Sequence, residues 1–133
     1  MTKRCAGSVG ALFVVWTAVD ILIHGVILKS TYAASPEMWR PHDQINLTLT
    51  FTITLVVAVA FTTIYARLIT PRSIARGIEF GLLFGIAGGF STAFSLYVAM
   101  PVPLHLAAVW FAAILVQATI GGAIIGWIIT TQD

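Results

Sequence analysis

Charge is what this sequence has least of. Of its 133 residues only 9% are Asp, Glu, Lys or Arg, where soluble domains carry about a quarter. A soluble chain this short keeps most of its residues near water and needs charge there. With so little charge to cover a surface, its main solvent must be lipid. Seven basic residues against five acidic leave a formal charge of +2. The arginines are scattered rather than grouped into a stripe with aromatics, so no nucleic-acid partner is expected. Cysteine is almost absent too. The single Cys5 excludes an internal disulfide.

Catalytic vocabulary is equally thin. No serine sits in a G-x-S-x-G context, no glycine loop is built to cradle phosphate, and no C-x-x-C or H-x-x-H spacing occurs. Cys5 has no histidine on its side of the membrane. An enzyme is therefore not the favoured reading, and no cofactor can be named.

What remains is 59% hydrophobic and falls into four apolar runs: roughly 6–28, 45–66, 77–100 and 104–129. Each approximates the length of about 20 residues that a helix needs to cross the hydrocarbon. The breaks are polar or proline-bearing: Lys29 to Asp43, Arg67 to Arg76, and the tight Pro101-Val102-Pro103. The first run follows Lys3 and Arg4, as a signal peptide would. It outlasts a signal core of about 7–15 residues, however, and contains Asp20 and His24, so we expect a retained span. In the second, Leu47 to Thr54 alternates as a strand does. A lone strand would leave its backbone unpaired in lipid, so a helix is expected, its threonines bonding back to carbonyls one turn earlier. The expected fold is an all-α integral membrane protein, one domain over 1–133, in which four transmembrane helices form a bundle of two hairpins.

The third run has glycine every four residues: Gly77, Gly81, Gly85 and Gly89. The fourth answers with Ala118, Gly122 and Gly126. Stripes without side chains let backbones approach closely, and such contact holds helices together in lipid. The short proline hairpin makes these two helices antiparallel neighbours, so we expect the stripes to pack within the chain. Docking of a partner subunit is the alternative.

Ionisable residues within a membrane are costly and raise a functional question by default. Asp20 and His24 are four apart, on one helix face. His24, His42 and His105 all map to the same side of the membrane, with Asp20 below His24. Imidazole and carboxylate are ligands for metals, and paired histidines for haem. These four residues are thus the candidate metal, haem or proton-relay site. Glu79, near Arg72 and Arg76, reads as a structural ion pair. Gln117 lies mid-membrane and is suited to an interhelical hydrogen bond.

The function expected on these grounds is that of a small accessory or structural subunit in a larger membrane complex, packing through its glycine-rich faces. A site-bearing protein is the second reading and a small oligomeric transporter the third. Its surroundings would be the lipid bilayer, with other membrane subunits or further copies of itself. Five of the seven basic residues (Lys3, Arg4, Arg67, Arg72 and Arg76) flank one side. The positive-inside rule makes that side cytoplasmic, with both termini, and places Trp39 at the outer interface and Trp127 at the inner. Reporter fusions at the two termini and in the 29–43 loop should report both termini inside and the loop outside. An external C-terminus would overturn the orientation.

Overall fold

In the computed structural model, which describes residues 3–130, all regular structure among the described residues is helical. Helix α1 spans Lys3–Leu22 and runs into a wider π-helical turn, Ile23–Ile27. A short helix α2 follows (Lys29–Ala33), then single 3-10 turns at Pro36–Met38 and His42–Gln44. The long helices are α3 (Leu47–Leu68), α4 (Ile74–Ala99) and α5 (Leu104–Ile128). Counting α1 with its π turn, four helices are long and apolar enough to cross a membrane. The chain is an all-α four-helix membrane bundle. The third helix begins three residues before the expected start, and the supposed loop after the first span is partly helical.

Local chemistry accounts for the boundaries. The Asn46 side chain caps α3, accepting from the Leu49 N–H at 2.9 Å. The Ser73 hydroxyl caps α4 by accepting from the Arg76 N–H at 3.2 Å. The threonines of α3 do bond back one turn: Thr52 to the Thr48 carbonyl at 2.7 Å and Thr54 to that of Thr50 at 3.3 Å. Each hydroxyl is thereby satisfied where lipid offers no partner. The turn into α4 is pinned by Tyr65. Its buried hydroxyl donates to the Ser73 carbonyl at 2.8 Å and accepts from the Ser73 N–H at 3.0 Å.

Helices α4 and α5 make the closest contact in the molecule, and it loosens along its length. A Cβ on Gly77 would collide with the Gly122 carbonyl oxygen, and one on Gly81 with that of Ala118. At Gly85 the nearest atom is the Leu115 Cα, at 2.9 Å from such a Cβ; at Gly89 it is the Ile114 side chain, at 3.1 Å. Backbone thus lies on backbone near Gly77, whereas side chains intervene near Gly89. Gly126, at the tight end, abuts Ser73 and Ile74.

Helix α1 packs against α3 and α5. Helix α3 meets α4 through aromatic rings, Phe61 against Phe80 and Phe84 at centroid distances of 4.6 and 5.0 Å. Two apolar cores result. The larger holds Leu12, Trp16, Phe61, Tyr65, Ala118 and Ile125. The smaller, at the loop end, is built on Leu28, Val102 and Leu106, with Tyr32, Trp39 and Trp110 against it.

Leucine at Gly85 should destabilise the protein by about 1–3 kcal/mol through overpacking. Leucine at Gly88, where nothing lies within 4 Å of an added Cβ, should be nearly neutral. Thermal unfolding in detergent compares the two, and equal effects would contradict the described contact.

Candidate functional site

Between the two cores the polar residues of the bundle gather. At the floor, Asp20 on α1 meets Gln117 near the middle of α5. The Gln117 amide nitrogen donates to Asp20 Oδ1 at 2.7 Å and to the Trp16 carbonyl at 3.3 Å. The Trp16 indole N–H returns a bond to the Gln117 carbonyl at 2.8 Å. This reciprocal set clamps α1 to α5. A Cβ on Gly121 would press on the Trp16 ring at 2.8 Å, so the absent side chain is what admits the indole.

One turn further along, the π turn carries His24. A π turn widens the helix locally and recurs where a side chain must be re-aimed. Here His24 Nδ1 lies 2.6 Å from the Tyr32 hydroxyl, the two rings nearly parallel. The Trp110 indole N–H donates to the same hydroxyl at 2.9 Å. Tyr32 also packs edge-on against Trp39, and Trp39 against Trp110. Burial pushes the Tyr32 phenol above its ordinary pKa and outweighs the opposing pull of the Trp110 hydrogen bond, so the phenol stays neutral at physiological pH. The Trp39 indole nitrogen is buried without a partner.

Three open-sided cavities run along these residues. The outermost, about 320 Å³, is lined by His24, Tyr32, Trp39, Arg40, His42 and Ile45. The next, about 300 Å³, has His24, Tyr32 and Trp110 on one side and Asp20, Thr92 and Gln117 on another. The deepest, about 390 Å³, shares Asp20, Thr92 and Gln117 and ends at Trp16, Phe84 and Ala118. The His24–Tyr32 pair forms a wall common to the first two. Beyond Trp16 and Phe84, the large aromatic core closes the bundle.

Of the four candidate ligands, Asp20 and His24 share the middle cavity, and His24 and His42 share the outer one. His105 lines none of the three. Among the described residues no group of three or more His, Cys, Asp or Glu side chains is placed to hold a metal. Gly77, Gly81, Gly85, Gly89, Gly122 and Gly126 lie between α4 and α5 and line none of these cavities, whereas Ala118 lies in the same seam and also borders the deepest one. Glu79 pairs with Arg76 at 2.7 Å at the other end of the bundle. No family model, curated protein or solved structure matches the chain.

Sequence reasoning passed over Tyr32, Trp110 and Trp16. Their roles depend on which faces α1, α2 and α5 turn toward one another, and no spacing along the chain records that.

Tyr32→Phe removes the hydroxyl that both His24 and Trp110 use. It should cost about 0.5–1.5 kcal/mol of stability, the net worth of a hydrogen bond, since His24 is exposed and Trp110 half-buried. Trp110→Phe leaves the His24–Tyr32 bond in place and should perturb His24 less, as read by its imidazole NMR shifts. The same His24 shifts in wild type and Tyr32→Phe would contradict the assigned hydrogen bond.

Proposed function

We propose that the protein is a site-bearing membrane protein that admits a small solute from the outer aqueous phase into a vestibule over Asp20. The single observation carrying this reading is the run of three cavities with shared walls. It leads from the 29–45 segment to a carboxylate whose two cavities have no lysine or arginine in their walls. Carboxylates at membrane depth are expensive, and a half-buried one set at the foot of a cavity has a use for the space above it. The excess of basic residues at the opposite end supports an outward-facing mouth for the vestibule.

The accessory-subunit alternative rested on the glycine faces. Those faces are occupied within the chain, between α4 and α5. That favours the vestibule.

The test is chemical access. In a Cys5→Ser background, Thr92→Cys should react with a charged, membrane-impermeant thiol reagent added from outside. Ile86→Cys, on the lipid-facing side of the same helix, should not, since lipid excludes both the reagent and the thiolate. Removing the wall ring with Tyr32→Ala should speed labelling of Thr92→Cys severalfold. Reactivity at Ile86 equal to that at Thr92, or none at Thr92, would overturn the vestibule.

A further inference from the structure

Building on the vestibule reading, we infer that its solute is a small organic ammonium ion, its charge set on Asp20 and its apolar part between Trp16 and Trp110. Four observations lead there, beginning with charge. Among the described residues Asp20 makes no ion pair; the one salt bridge there is Arg76–Glu79, at the far end of the bundle. Neither cavity that Asp20 lines has a lysine or arginine in its wall. A carboxylate so placed favours a counter-charge, and neither wall offers an anion a lysine or arginine.

The hydrogen-bond inventory points the same way. Gln117 spends its amide nitrogen on Asp20 Oδ1 and the Trp16 carbonyl, leaving its own side-chain oxygen without a bonded donor. Among the described residues, Asp20 Oδ2 and the Thr92 hydroxyl have no hydrogen-bond partner either. The floor shared by the two cavities is therefore rich in acceptors. An ammonium group brings the missing donors.

The walls select an organic cation over a bare metal ion. Three oxygens from three residues fall short of the six or more that hard cations gather, and the described residues assemble no metal-binding group. Trp16 stands on one side of the acceptors, with Trp110 and Tyr32 on the other. Ring faces attract cations and cover apolar carbon, and ammonium recognition uses both properties.

Size is the last restriction. Cavities of about 300 and 390 Å³ lie at the lower end of the range of about 300–1,000 Å³ for ligand sites. They suit a ligand of about one ring. The other titratable groups lining the middle cavity are His24, on the same helical segment as Asp20, and Tyr32. The remaining elements present Thr54 from α3, Thr92 from α4 and Gln117 from α5, none of which titrates. A protonated His24 would compete for Asp20. Binding is therefore best measured at pH 8, above the ordinary imidazole pKa of about 6.5.

The full-length protein in lipid nanodiscs would be titrated with benzylammonium chloride at pH 8, reading tryptophan fluorescence, with neutral benzyl alcohol alongside. Saturable benzylammonium binding at least about tenfold tighter than that of benzyl alcohol is expected. Asp20→Asn should weaken it about a hundredfold, as loss of one partner of a desolvated charge pair does. Asp20→Glu, which keeps the charge, should retain most of it, and melting curves identify any variant that does not fold. Benzylammonium should also protect Thr92→Cys from the external reagent. Equal affinity for the amine and the alcohol, or Asp20→Asn binding as wild type does, would overturn the inference. If Thr92→Cys is labelled from outside and benzylammonium neither binds nor protects, the ammonium assignment fails and the vestibule stands. If Thr92→Cys cannot be labelled, the vestibule itself fails.

Discussion

The rest of the structure depends on the approach of the α4 and α5 backbones. Lipid supplies no hydrophobic drive for helices to associate, so contact has to come from packing. Glycine and alanine every fourth residue permit that packing where Gly77 meets Gly122 and Gly81 meets Ala118. The pair so formed is a rigid hairpin on which α1 docks, through the reciprocal bonds of Trp16 and Gln117. Helix α3 then closes the bundle with Phe61 on Phe80 and Phe84.

Tight packing at one end has a consequence at the other. The stripe of small residues gives way at Gly89 to Ile114 and Phe111, and side chains hold the helices further apart. The cavities begin in that half. Polar residues that would be intolerable against lipid find room there: Asp20 beneath, His24 on its widened turn, Thr92 and Gln117 between. Tyr32 ties the outer wall by accepting from Trp110 and bonding His24. The loosening of the α4–α5 contact thus coincides with the half that holds these three cavities, while a separate cavity of about 300 Å³ lies at the tight end beside Arg76 and Glu79.

Much of this was legible in the residue order. Period-four glycine predicted which helices touch, because a stripe of missing side chains has one structural use in lipid. The threonines of α3, strand-like in pattern, were resolved by the rule that lipid leaves no backbone group unpaired. Asp20 and His24 stood out by cost alone. The π turn at Ile23–Ile27 has no comparable mark; it lies between α1 and the short helix α2, whose Tyr32 bonds back to His24. Tyr32 and Trp110 were hidden because 78 residues separate them, and only the packed helices bring their polar atoms together. His105, grouped with His24 and His42 from the sequence, lines none of the three cavities.

The central claim is that water reaches Asp20 while the core beneath it stays dry. Solid-state NMR of the labelled protein in lipid bilayers, with magnetisation transferred from water to protein carbons, measures this directly. Strong early transfer to the Asp20 carboxyl and the Gln117 amide, with little to the rings of Phe61 and Phe84, is the predicted result. Transfer to Asp20 as weak as that to Phe61 would mean that the space above the carboxylate is not an aqueous vestibule.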